Sequence, residues 1–305
     1  MFSLKHLKCI VTILLAVPVL CPAQDQLIKY ERPLGTTLRS FGQESVALDP
    51  PSGSTPPQFV SVGNVRETTG VLKPVVTLVD ALTLNAISSN TIEYIPGLSQ
   101  SANTVCTDPR TGHIYMGMSL FFAGKELAYL IKMDASGTVL WGHRWGEGRI
   151  HKLIYNDISK QIVVFGHLNN GRLLVAGLDP TAIVPGLLAT YVWRWEDELL
   201  DGGAQVPLTP RDMTIDRASG DIVVLAHSRY SGDDNICVFH HKASGAVNWG
   251  YDYGRTPAFE QARAICIGPG TPSQPYTITV AGDVGDSVFG LNLDPLTGNV
   301  NWRST

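Results

Sequence analysis

Short apolar runs alternate with compact polar turns along most of the chain. Val105-Cys106-Thr107, a turn over Asp108–Gly112, and His113-Ile114-Tyr115 form one such unit. The same pattern recurs around the turns Asn156–Lys160 and Asp216–Gly220, and with a longer turn between Ala264 and Val280. An apolar strand, a turn carrying Asp or Asn and usually Gly, then a second apolar strand predicts a β-hairpin, because these residues accept turn dihedrals at little cost. The second strand is often apolar on both faces, as in Ile222-Val223-Val224-Leu225-Ala226, which predicts a strand buried from both sides. No 3.6-residue period is sustained and glycine is scattered throughout, so the pattern predicts an all-β chain.

A second hairpin signal follows each of these. Met133-Asp134-Ala135-Ser136-Gly137-Thr138-Val139-Leu140-Trp141 matches His241–Trp249 and Leu293–Trp302, with a looser copy at Leu178-Asp179-Pro180 and Tyr191-Val192-Trp193. Trp141, Trp193, Trp249 and Trp302 recur at intervals of 52, 56 and 53 residues. Two hairpins per unit make four strands, and a period near this size is the signature of propeller blades, typically ~40–50 residues each. The predicted fold is a β-propeller of four-stranded antiparallel blades. Residues 101–305 carry four clear blades, and residues 59–100, with Val75-Val76-Thr77-Leu78-Val79, carry a partial one. The four tryptophans are assigned to the blade core, between neighbouring blades. The last residues, Arg303-Ser304-Thr305, follow a blade tryptophan directly. Two explanations stand: Gln58-Phe59-Val60-Ser61-Val62 completes the last blade, or the sequence continues and the ring is incomplete here.

The first residues differ. Lys5, His6 and Lys8 precede an apolar run from Cys9 to Leu20, and Cys21-Pro22-Ala23 follows. A basic head, an apolar stretch and a small-residue cleavage site predict a signal peptide over 1–23. The run is shorter than the ~20 residues of a spanning helix, and no other segment is apolar enough to span. A lipoprotein signal at Cys21 is disfavoured by the bulk of Leu20. Residues 24–58, with Asp49-Pro50-Pro51-Ser52-Gly53-Ser54-Thr55-Pro56-Pro57, predict an extended linker. The mature chain keeps Cys106, Cys237 and Cys266, each within an apolar run, which predicts buried free thiols, with one disulfide and a leftover thiol as the alternative. The absence of an Asn-x-Ser/Thr sequon fits a bacterial exported protein.

The Asp-x-x-Gly-x-x-x-Trp hairpin resembles repeats of the pyrroloquinoline-quinone-type propellers and of the bacterial outer-membrane assembly propeller. The stretch from Ser231-Gly232-Asp233-Asp234-Asn235-Ile236 through Trp249 to Tyr253-Gly254 resembles the seven-bladed propeller repeat of bacterial surface and secreted proteins. The resemblance covers residues 101–305 and implies six to eight blades, more than are visible. It implies a fold and no particular chemistry.

Composition narrows the function. Hydrophobic residues make up 44% and charged residues 16%, with a net charge of −4. Such a chain lacks the basic stripe that nucleic acid requires. Among the histidines, His240 and His241 are adjacent and point to opposite faces of a strand. His113, His143, His151, His167 and His227 recur near equivalent blade positions without a second ligand at metal spacing. Asp233-Asp234-Asn235 is the best acidic cluster for calcium, but it lacks the alternation and downstream Glu of a calcium loop, and Asp283-Val284-Gly285-Asp286 repeats its position. No cofactor is assigned. No nucleophile elbow, phosphate loop or zinc helix motif occurs. Glu196, Asp197 and Glu198 are scattered carboxylates that sequence cannot pair. The expectation is an exported, non-catalytic propeller, secreted, periplasmic or at the cell surface, that binds a protein or glycan partner at the envelope. Its face is assigned to the loops between blades and between second and third strands: Arg229, Tyr230, Asp233, Asp234, Arg255 and Glu260. The alternative is a propeller enzyme, a quinoprotein-like oxidoreductase or a polysaccharide hydrolase or lyase.

Overall fold

The computed structural model describes residues 40–48, 58–182, 191–197, 199–201, 204–230, 233–253, 260–271, 274–284 and 287–304. Residues 1–23, expected to be a signal peptide, Asp49–Pro57 and Arg255 lie outside these residues. Every described regular element is a strand, and the strands form five blades in chain order. The first blade is β1 (Ser40–Leu48), β2 (Gln58–Arg66), β3 (Leu72–Asp80) and β4 (Ala86–Thr91). The second is β5 (Gln100–Asp108), β6 (His113–Phe122), β7 (Lys125–Met133) and the first half of β8 (Val139–Asn156). The second half of β8 opens the third blade, completed by β9 (Gln161–Leu168), β10 (Leu173–Leu178) and β11 (Tyr191–Asp197). After a small hairpin of β12 (Leu199–Asp201) and β13 (Ala204–Val206) comes the fourth blade, β14 (Leu208–Ile215), β15 (Ile222–Tyr230), β16 (Asp233–His241) and β17 (Val247–Asp252). The fifth is β18 (Glu260–Thr271), β19 (Gln274–Val284), β20 (Ser287–Leu293) and β21 (Val300–Ser304). Each blade is an antiparallel meander, and β8 runs unbroken from the outer edge of one blade to the inner edge of the next.

Two differences from expectation stand at the ends. The unit expected to be partial has four strands, because Ser40–Leu48, inside the stretch assigned to the linker, pairs with β2. Gln58–Val62 pairs within that first blade and does not complete the last one, which supplies its own fourth strand in β21.

Period-2 alternation builds the interior. Ile162 and Val164 of β9 face the core shared with the second blade, while Val163 and Phe165 face the core shared with the fourth. Ile222, Val224 and Ala226 of β15 likewise oppose Val223 and Leu225, which join the core of the fourth and fifth blades. Four cores thus join five blades in series. The first strands of neighbouring blades lie against one another, which makes them the inner edge.

Polar links cross this inner edge. Asn64 clamps Ala102, accepting its N–H at 2.8 Å and donating to its carbonyl at 3.1 Å. Thr104 Oγ1 accepts the N–H of Leu153 at 3.0 Å. Asp212 spans three blades, accepting Lys152 Nζ at 2.7 Å and the N–H of Ile265 at 3.0 Å.

At the opposite end of the blades, the turns between third and fourth strands in the second, fourth and fifth blades close over the preceding blade. Asp134 and Asp294 cap their own turns with the side chain, and Gly137, Gly245 and Gly298 take the left-handed position at φ 83°, 87° and 74°. A β-carbon on Gly245 would lie 2.2 Å from the Trp193 ring, and Trp249 donates to the carbonyl of Pro295 at 2.9 Å. Trp249 is buried, and Trp141 and Trp193 pack at the edges of their cores. Trp302 departs from the spacing-based assignment: it is 49% exposed, and no such turn covers it among the described residues.

Leu84, at φ 56°, occupies this glycine position in the first blade. A side chain in the left-handed region costs about 1–2 kcal/mol, against about 0.4–1 kcal/mol of extra unfolded-chain entropy for glycine. Leu84→Gly is therefore expected to stabilise the protein by up to about 1 kcal/mol in urea denaturation. A loss of stability would show that the turn carries no strain.

Candidate functional site

In each of the five blades the first strand carries one residue too many for its partner. The pairing slips between Gly42 and Glu44, Ala102 and Thr104, Ile150 and Lys152, Pro210 and Asp212, and Ala262 and Ala264. The extra residues are Gln43, Asn103, His151, Arg211 and Arg263. A β-bulge leaves such a residue outside the ladder and re-aims its side chain.

In the four blades whose side chains are described here, the bulge residue bonds to the second strand at one repeated position. Asn103 donates to Ser119 Oγ at 2.8 Å. His151 Nε2 meets His167 Nδ1 at 2.9 Å. Arg211 Nε donates to His227 Nδ1 at 3.3 Å, and Arg263 Nε to Asp283 at 2.7 Å. Between the second and third blades the layer is joined, since Arg149 donates to Asn103 Oδ1 at 3.1 Å and its Nε lies 3.8 Å from Glu126. Arg149, the bulge residues and their partners lie near the start of a first strand or the end of a second, and Glu126 near the start of a third. This is the end at which the chain enters each blade and the second strand turns into the third.

Burial, then His167 and the positive charges of Arg149 and Arg211, push the His151 imidazole down to about 3. Burial also lowers His167, partly opposed by Glu126 and reinforced by Arg149. Both rings are therefore neutral near pH 7, and one N–H lies between them.

His240 and His241 serve packing. His240 stacks on Trp249 and shares a 2.7 Å hydrogen bond with Tyr276, while His241 meets the edge of Trp195 on the opposite face. Burial pushes both down to about 4. A histidine whose folded value lies below its ordinary 6.5 contributes stability that is complete above that value. The unfolded chain takes up protons first as pH falls. His151, His240 and His241 thus predict stability that declines from about pH 6.5 toward pH 4–3, measured as the urea midpoint across that range. A flat profile from pH 7 to 5 would contradict their neutral burial.

Five of the six residues assigned from sequence lie at the same entry end in backbone terms. Arg229 pairs with Asp234 and Tyr230 with Asp233 at the tip of the fourth blade's middle hairpin, just beyond His227. Glu260 opens β18 beside the Gln261–Asp283 pair. Arg255 and the side chains of the other five lie outside the described residues. Asn235 donates to Asp252 at 3.0 Å, and Glu196 pairs with Arg194. Cys106, Cys237 and Cys266 form no disulfide among the described residues; the first two are buried, and burial pushes Cys237 up to about 12. No three His, Cys, Asp or Glu residues converge as metal ligands among the described residues.

Sequence inspection noted His151, His167 and His227 but not their grouping. His151 and His167 meet through a bulge and a strand register, neither of which spacing along the chain reveals.

No protein-family profile and no curated protein matches the chain. Among solved structures, it is similar to a protein of unknown function from Dyadobacter fermentans at 11% identity, covering 93% of this chain and 87% of that one, with a TM-score of 0.51. It is similar to a periplasmic gluconolactonase of Pseudomonas aeruginosa at 14% identity over 88% and 82% of the two chains, with a TM-score of 0.50. The β-propeller domain of Cps50 from Myceliophteria thermophila matches at 10% identity over 75% and 77%, with a TM-score of 0.44. At these identities the likeness concerns the fold alone.

Proposed function

We propose that the chain is an exported, non-catalytic β-propeller that binds a protein or glycan partner at the cell envelope through the entry end of its blades. One observation carries the reading. The bulge recurs in register in all five blades while the side chains it presents differ: Asn with Ser, His with His, Arg with His, Arg with Asp. A constant backbone device with varied polar groups is what a site grafted on a repeat scaffold requires. Export is supported by the basic and apolar pattern of residues 1–23.

The test is capture of envelope proteins and glycans by the mature chain and by a variant with Asn103→Ala, His151→Ala, Arg211→Ala and Arg263→Ala. Capture is expected to fall by about tenfold or more, with the circular dichroism unchanged. Retained capture would place the site elsewhere. N-terminal sequencing of the exported protein should begin at Gln24; an intact Met1 on the exported form would contradict the signal-peptide reading.

A further inference from the structure

We propose that the step between the third and fourth blades, where Arg149 and Arg211 flank the His151–His167 pair, binds the carboxylate of an acidic saccharide. The proposal rests on the platform reading above and adds the chemistry of the ligand.

Geometry brings the groups together. Arg149 pairs across the ladder with His167, and His151 follows it as the bulge residue of the same strand. Arg211 is the bulge residue of the next blade, exposed and held through its Nε by His227. Two imidazoles at 2.9 Å would ordinarily suggest a cation site. Here the charge decides against it: Arg149 pairs with His167 in the ladder, and the Lys152–Asp212 ion pair, one residue beyond each bulge, ties the Arg211 bulge to that of His151, so both guanidinium groups lower the imidazole. The nearby carboxylates offset only part of this: Glu126 lies 3.8 Å from Arg149, and Asp212 is matched by Lys152. An oxyanion is the ligand this field favours. The planar fork of arginine matches a carboxylate, and a neutral imidazole N–H adds a donor.

The strand edge favours a saccharide over a peptide. A peptide that adds a strand needs a continuous row of backbone groups. Every inner edge strand is interrupted by its bulge at this level. Phe121, 44% exposed, pairs across the ladder with Glu126, the carboxylate beside Arg149. It offers an apolar face for a sugar ring next to the charged groups.

With His151 held down to about 3, the pair stays neutral and donates an N–H to the bound carboxylate, so affinity should vary little between pH 7.5 and 5.5. The experiment is calorimetric titration with trigalacturonate, neutral maltotriose, inorganic sulfate and a pentaglutamate peptide. It uses the mature wild type, Arg149→Gln, Arg211→Gln and Arg211→Lys. Trigalacturonate is expected to bind, maltotriose and pentaglutamate to bind at least about tenfold more weakly, and each Gln variant to lose about tenfold. The Lys variant should retain part of the affinity, and binding should change by less than about twofold from pH 7.5 to 5.5. Should Arg149→Gln not fold, the exposed Arg211 position still decides. Equal binding of maltotriose, preference for sulfate or pentaglutamate, or an unaffected Arg211→Gln would overturn the proposal. If no trigalacturonate binds yet the bulge substitutions abolish capture of another partner, the carboxylate assignment fails and the platform stands. If those substitutions leave all capture intact, both fail.

Discussion

Replacing Gly166 by valine is expected to destabilise the protein by roughly 2–4 kcal/mol and to separate His151 from His167. Gly166 lies opposite Ile150, immediately beside the bulge. A β-carbon there would stand 2.2 Å from the carbonyl oxygen of Arg149 and 3.2 Å from the Ile150 Cα. Those are backbone atoms, so no rotamer change relieves the clash and the first strand itself must move. The fifth blade repeats the constraint, with Gly282 2.2 Å from the carbonyl of Gln261 by the same construction. The fourth blade provides the control, because Ala226 occupies the matching position opposite Pro210 and already carries a β-carbon. Ala226→Gly should cost only about 1 kcal/mol, from backbone entropy and a lost buried methyl. Urea denaturation of the two variants measures the contrast. A Gly166→Val cost no larger than that of Ala226→Gly would mean that the bulge is not held by this close approach.

The second large effect is expected at Asp212. Its carboxylate accepts both Lys152 Nζ from the third blade and the N–H of Ile265 from the fifth. The two charged side chains are only 16% and 19% exposed, so the pair is shielded from water more than an ordinary surface ion pair. Asp212→Ala removes the acceptor for a buried-edge amide and the counter-charge for a poorly solvated ammonium, a loss of about 2–3 kcal/mol. Asp212→Asn keeps a carbonyl oxygen for the amide and should recover part of that. Thermal unfolding should also broaden for the alanine variant, because the link couples three blades. A loss below about 0.5 kcal/mol would show that the blades are coupled through their apolar cores alone.

The blades were legible because their signals are local. Asp134 with Gly137, and Asp294 with Gly298, satisfy their own turns, so the residue types alone announce the hairpins. The run Ile222–Ala226 announces burial on both faces, and the two cores it joins follow from alternation. The strand Ser40–Leu48 was hidden by its polar composition and by the Pro-rich stretch after it. Its place in a sheet depends on β2, many residues away. The polar layer was hidden for a different reason. A bulge breaks the period-2 pattern by a single residue, so His151 reads as an ordinary strand position. Its partner His167 is fixed by register between strands, and Arg211 by the packing of one blade on the next. The assigned residues Arg229, Tyr230, Asp233 and Asp234 sit at the same end in backbone terms because the strands they belong to end there. The groups that meet there are set by the inner strands.

The central claim is that ligands are taken at the entry end of the blades, on the bulge layer. Amide hydrogen exchange with and without the captured partner tests it most directly. The account predicts slowed exchange in residues 100–104, 148–152, 208–212 and 260–264 and at the hairpin tip 122–125. The turns 134–138, 242–246 and 294–298, at the other end of the same blades, should exchange unchanged. Protection confined to those turns would contradict the claim.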